Sequence, residues 1–103
     1  MIRKNAIAER FDNAEFDGDK SVEVSIRDDF GLPDHARRVK IEIFMKKGGV
    51  RVKDGGRQYA GQVKERWGQL RGVIDVLPEG GIFYLDFDRH STLARIGCLG
   101  YFE

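Results

Sequence analysis

The chain has 103 residues, 41% of them hydrophobic and 34% charged with both signs mixed, so its composition favours one folded domain over a disordered chain. No run approaches the ~18 apolar residues that a membrane-spanning helix needs. Cys98 is the single cysteine, which excludes an internal disulfide bond and a zinc site built from cysteines of one chain.

The formal net charge of +1 conceals a segregation of charge along the chain. Residues 1–35 carry 5 basic and 9 acidic side chains, residues 36–71 carry 11 and 3, and residues 72–103 carry 2 and 5, so the three segments have net charges of −4, +8 and −3. A basic middle between acidic flanks indicates an anionic partner or a complementary protein surface.

The N-terminal segment lacks the apolar stretch that follows the basic residues of a signal peptide. Together with the single cysteine, this favours a reducing compartment, and we expect a cytoplasmic protein. We interpret residues 1–103 as a single domain, in which the acidic residues 1–19 form a loosely ordered arm.

Alternation of apolar and polar residues predicts the first strands. Val22, Val24 and Ile26 alternate with polar side chains, which is typical of a half-buried strand over residues 21–27. Residues 38–47 and 50–53 alternate in the same way, and Gly48-Gly49 between them suits a tight two-residue turn. We therefore predict a β-hairpin over residues 38–53.

Residues 57–77 allow two interpretations. Apolar residues recur at steps of three or four, which predicts an amphipathic helix; they are Tyr59, Val63, Trp67, Leu70, Ile74 and Leu77. We place this helix over residues 57–70 with Trp67 in the core, although Gly61, Gly68 and Gly72 each disfavour a helix by ~1 kcal/mol. The competing interpretation makes residues 73–77 a strand paired with residues 82–87, and residues 72–77 stay open between helix and strand.

Two further strands complete the predicted fold, at residues 82–87 and 94–102. The predicted class is α+β, a small domain with an antiparallel sheet of about five strands and one amphipathic helix packed on it.

A basic face follows from the predicted hairpin, because its apolar residues point to the core and the alternating positions point to solvent. The candidate binding residues on this face are Arg38, Lys40, Phe44, Lys46, Arg51 and Lys53. A turn at Gly48-Gly49 would place Lys46 opposite Arg51, and a bound anion would relieve their repulsion. Basic groups bind phosphates, and an aromatic ring between them can stack a base. The favoured function is therefore non-catalytic binding of nucleic acid or another polyanion.

Other functions remain open from the sequence. The basic side chains could be solvated, or neutralised by the acidic flanks. The protein could instead be an interaction module, such as an inhibitor, immunity or accessory subunit, or a homo-oligomer. A small acid–base enzyme would use His90 with Asp86 and Asp88. The spacing of histidines and carboxylates matches no standard metal site, and we predict no metal or other cofactor.

Overall fold

Nine antiparallel strands build the structure, a computed structural model that describes residues 1–103. The first sheet contains β1 (Ile2–Ile7), β2 (Ala14–Phe16), β4 (Arg38–Lys47), β7 (Arg71–Val76) and β9 (Ser91–Phe102). The second sheet contains β3 (Val22–Ser25), β5 (Gly49–Lys53), β6 (Tyr59–Lys64) and β8 (Ile82–Phe87). The spatial order is β1-β9-β4-β7 in the first sheet, with β2 pairing with the start of β9, and β3-β8-β5-β6 in the second.

The core lies between the two sheets and contains 22 buried hydrophobic residues. Alternate residues of each central strand point into it, and in β4 and β8 these are Val39, Ile41, Ile43, Met45, Phe83, Leu85 and Phe87. Because successive side chains of a strand point to opposite sides, the intervening polar residues form one outer face on each sheet. No helix in the structure is long and apolar enough to cross a membrane.

The single α-helix, α1 (Ile26–Phe30), shortens the first predicted strand. The Ser25 hydroxyl accepts a hydrogen bond from the Asp28 N–H at 3.2 Å, and the Asp29 carboxylate accepts one from the Ser25 N–H at 3.0 Å. These bonds start a helix at Ile26, which ends at Gly31 with a left-handed φ of 70°. The predicted strand over residues 21–27 is therefore confirmed only for Val22–Ser25.

The predicted hairpin over residues 38–53 is wrong, because β4 and β5 lie in different sheets. Gly48 adopts a φ of 80° and carries the chain from one sheet to the other. The buried Ser91 hydroxyl fixes this crossing, since it accepts from the Gly49 N–H and contacts the Gly49 carbonyl oxygen, both at 3.1 Å. Lys46 therefore does not lie opposite Arg51, whose strand neighbours are Gln62 and Asp86.

The predicted helix over residues 57–70 is also wrong. This segment forms β6 and one turn of 3-10 helix, Glu65–Trp67, and Trp67 is 56% exposed instead of buried. Gly61 permits the close packing of β6 against β7, because a Cβ there would meet the Ile74 side chain at 3.0 Å. The predicted single sheet with a helix laid across it is thus replaced by two sheets, while the antiparallel character holds.

Of residues 72–77, which the sequence left open, all but Leu77 belong to strand β7 (Arg71–Val76). Its partner is β4 of the first sheet and not residues 82–87. The strand over residues 82–87 is confirmed, and the last strand begins three residues earlier than predicted, at Ser91. Residues 2–7 and 14–16, within the segment interpreted as an acidic arm, pair with β9.

Candidate polyanion-binding surface

One cross-strand row on the outer face of the first sheet places an aromatic ring between two guanidinium groups. The register pairs Phe44 of β4 with Arg71 of β7 on one side and with Arg95 of β9 on the other. The Cζ atom of Arg95 lies 4.6 Å from the centroid of the Phe44 ring, and that of Arg71 lies 5.7 Å from it. Both distances are within the range of a cation–π contact. The outer face therefore carries a stacking group and two cations on neighbouring strands.

Glu42 positions one of these cations. Its Oε2 atom accepts hydrogen bonds from the Nε atom of Arg71 at 2.8 Å and from a terminal guanidinium nitrogen of the same residue. A two-bond contact between a carboxylate and a guanidinium fixes the orientation of the arginine plane. Arg71 is thus oriented beside Phe44, and the Glu42 carboxylate neutralises part of its positive charge.

A groove opens beside Phe44, where the register pairs Glu42 with Gly97 and Gly97 with Ile7. Its volume is about 400 Å³. Gly97 has no side chain to fill this space, and a Cβ atom there would lie 3.1 Å from the Ala6 carbonyl oxygen. Apolar and charged walls therefore meet next to the aromatic ring, which is typical of a surface that binds a partly apolar group.

The predicted residues of β4 extend this surface. Lys40 lies opposite Asp75, and the Cζ atom of Arg38 lies 4.1 Å from the centroid of the Phe102 ring. Lys46 is exposed at the end of the strand. None of these three basic residues forms an ion pair, and neither does Arg95. Their charges are available to an anion from solution.

Arg51 and Lys53, the other two predicted basic residues, lie on the outer face of the second sheet. Lys53 forms an ion pair with Asp86 at 2.8 Å. Partial burial acts to raise the pKa of the Asp86 carboxyl, but hydrogen bonds from Lys53 and Ser21 and the charges of Lys53 and Arg51 outweigh it and lower the pKa. The structure thus divides the predicted site between two opposite faces.

The acidic N-terminal segment does not neutralise the basic middle of the chain. Its ion pairs are internal, since Asp29 binds Arg10, and Asp28 and Asp34 bind Arg27. The carboxylates that form ion pairs with basic side chains of residues 36–71 are Glu42, Asp86 and Asp88. Internal neutralisation therefore applies to three basic side chains of that segment: Lys53, Lys64 and Arg71.

His90 does not form with Asp86 or Asp88 the acid–base pair that an enzyme would use. His90 is exposed in the turn between β8 and β9, with a φ of 58°, and makes no hydrogen bond to Asp86 or Asp88. Both carboxylates are held by lysines, Asp86 by Lys53 and Asp88 by Lys64. Histidine, cysteine and acidic side chains form no group of three that could hold a metal ion.

Arg95 was not among the residues predicted from the sequence, and Arg71 lies just beyond the helix that was predicted over residues 57–70. The usable signal for Arg95 was that it is the only charged residue between Ser91 and Phe102, a run long and apolar enough for a central strand. A charge within such a strand must face outward. Its proximity to Phe44 depends on the pairing of β4 with β9, which no local pattern specifies.

Comparison with known protein families, with curated protein sequences and with solved structures gives no match.

Proposed function

We propose that the protein is a non-catalytic binding domain that holds single-stranded nucleic acid, or a similar polyanion, on the outer face of its first sheet. The observation that carries this proposal is the row of Arg71, Phe44 and Arg95 on an open sheet face. Aromatic rings on a sheet stack unpaired bases, and neighbouring basic groups contact the backbone phosphates.

The unpaired charges support an extended ligand. Arg38 and Lys46 mark the two ends of the basic row on β4, eight residues and so about 27 Å apart. Lys40 and Arg95 lie between them, and neither has an ion-pair partner. A ligand with regularly spaced negative charges could contact several of these groups at once, whereas a single small anion could not.

Binding of a fluorescently labelled single-stranded oligonucleotide, measured by anisotropy at several salt concentrations, tests the proposal. Log K should fall with log salt by ~0.7 for each phosphate neutralised. Phe44→Ala should weaken binding by about 1–3 kcal/mol through lost stacking, and Arg95→Gln should reduce the salt slope by about one contact.

Arg51→Gln is the matched control, because it removes the same charge from the opposite face of the molecule. It should leave both affinity and salt slope close to those of the wild type. Equal losses from Arg51→Gln and Arg95→Gln would show that binding depends on net charge and not on this face. Absence of any oligonucleotide binding would refute the proposal.

A protein partner is the second candidate, and the groove beside Phe44 favours it. Ile7 at the wall of this groove is 46% exposed, and an apolar group next to arginines and an aromatic ring is typical of the centre of a protein interface. Such a partner would bind with weak salt dependence, and Ile7→Ser would reduce its affinity without changing oligonucleotide binding.

A further inference from the structure

β7 is an edge strand whose outer side has no partner. It pairs only with β4. Alternate residues of a strand direct their N–H and C=O groups to the same side, so the residues that bond to β4 also identify those that face away from it. The Met45 N–H donates to the Leu70 carbonyl oxygen at 2.7 Å, so even-numbered residues of β7 bond to β4. The N–H and C=O groups of Arg71, Val73 and Asp75 therefore point to the free edge.

The other four edge strands carry features that discourage strand addition, and one of them, β2, is only three residues long. β1 contains Lys4 and an irregular register between Arg3 and Ala6. β3 is four residues long, and the Arg10 side chain donates to the Glu23 carbonyl oxygen on it. β6 has an irregular register where it pairs with Val52 and Lys53 of β5. β7 pairs with β4 without interruption and contains neither lysine nor proline, so it is the unprotected edge.

We propose that β7 forms a two-fold symmetric dimer by pairing antiparallel with β7 of a second copy of this chain. Pairing centred on Val73 places Val73 opposite its own copy and Arg71 opposite Asp75, twice. This is the one register that pairs all three free residues of each copy with one another. Paired residues of antiparallel strands share a face, so opposite charges meet on the outer face on both sides of the two-fold axis.

The two ends of the free edge fit this register. Beyond β7 the edge is closed, because the Leu77 N–H donates to Asp54 and the Leu77 carbonyl oxygen accepts from the Gly55 N–H. Before β7 the chain turns away at Gly68, which has a φ of 76°. In the antiparallel dimer, Leu77 of one copy lies next to the turn at Gly68 of the other copy. Neither of these segments offers a free strand edge, so pairing is confined to residues 71–75.

Exposed apolar side chains flank the same edge. Trp67 is 56% exposed, Leu70 47% and Leu77 52%. The first two lie just before β7 and the third just after it, so antiparallel pairing brings Leu77 of one copy next to Trp67 and Leu70 of the other. The dimer thus covers apolar surface that a single copy leaves in water.

Charge reversal tests the dimer. Sedimentation equilibrium of the wild type, without nucleic acid, should give twice the 11.7 kDa of one chain. Asp75→Arg and Arg71→Glu should each weaken self-association about tenfold or more, because each places like charges opposite one another at two symmetric positions. An equimolar mixture of the two variants should restore the dimer, since every facing pair is then opposite in charge.

Two further variants separate edge pairing from general effects. Val73→Pro removes an N–H that does not bond to β4, so it should abolish the dimer while circular dichroism shows a folded chain. Lys4→Glu on β1, at the opposite edge of the sheet, should leave the dimer intact. A wild type that stays monomeric up to about 1 mM overturns the proposal. So does a dimer that neither the charge reversals nor Val73→Pro weaken.

Discussion

The ion pair between the buried Lys64 and the half-exposed Asp88 predicts that mutations of the two residues change the stability of the protein by different amounts. The Lys64 side chain is 5% exposed and its Nζ atom lies 2.7 Å from the Oδ1 atom of Asp88, which is 48% exposed. The lysine stem packs against Gly49, where an added Cβ would lie 2.6 Å from its Cδ atom. The ammonium group is thus withdrawn from water, and a single carboxylate compensates its charge.

Asp88→Asn removes the compensating charge and leaves the ammonium buried. We expect it to lower the free energy of unfolding by about 2 kcal/mol, above the 0–1 typical of exposed pairs and below the 3–5 of fully buried ones, because Asp88 is half in solvent. Lys64→Met keeps the packing of the stem and removes the buried charge, so it should stay within about 1 kcal/mol of the wild type. Asp88→Asn should then cost almost nothing in the Lys64→Met background.

Urea unfolding of the wild type, the two single variants and the double variant measures these differences. Equal m-values across the four proteins would show that the same surface is exposed on unfolding. Equal destabilisation by Lys64→Met and Asp88→Asn, or simple addition of the two effects, would show that an uncompensated buried charge is not the cause of the loss.

Two further mutations test the architecture and its response to acid. Trp67→Ala should lower the free energy of unfolding by less than about 1 kcal/mol in thermal or urea denaturation, because the side chain is 56% exposed, whereas a core tryptophan would cost about 3–5 kcal/mol. Asp86→Asn should destabilise the protein at neutral pH by about 0.5–1 kcal/mol. The lowered pKa of Asp86 means that its ionised form stabilises the fold above the ordinary pKa of 3.8 and that this contribution is lost as pH falls through the folded-state pKa, so wild type and variant should converge in acid. A constant difference down to pH values below both pKa values would contradict this assignment.

Period-2 alternation was sufficient to place β4 and β5, each of which is a central strand of its sheet. In β4, Val39, Ile41 and Ile43 alternate with outward polar residues, and in β5 the buried Val50 and Val52 alternate with Arg51 and Lys53. Such strands are recognisable because one face is buried and the other is solvated, so apolar and polar residues alternate in the sequence. The outward direction of Arg38, Lys40 and Phe44 follows from the same rule.

The spacing of apolar residues predicted the wrong element over residues 57–70. The spacing of Tyr59, Val63 and Trp67 suits a helix, yet the segment forms a strand whose Gly61 packs against Ile74 of β7. A glycine disfavours a helix only modestly, but close approach between two edge strands requires it. Tertiary packing therefore outweighed helical periodicity.

The sequence by itself determined that the chain is a small antiparallel domain, and that Arg38, Lys40, Phe44 and Lys46 belong to one strand with a basic outer side. Only the tertiary structure decided that Arg51 and Lys53 face the opposite direction and that Arg71 and Arg95 flank Phe44. Alternation records whether a side chain is inside or outside, which is a property of each strand alone. Which strands become neighbours depends on long-range pairing, here set by the crossing at Gly48 and its hydrogen bonds to distant residues such as Glu65.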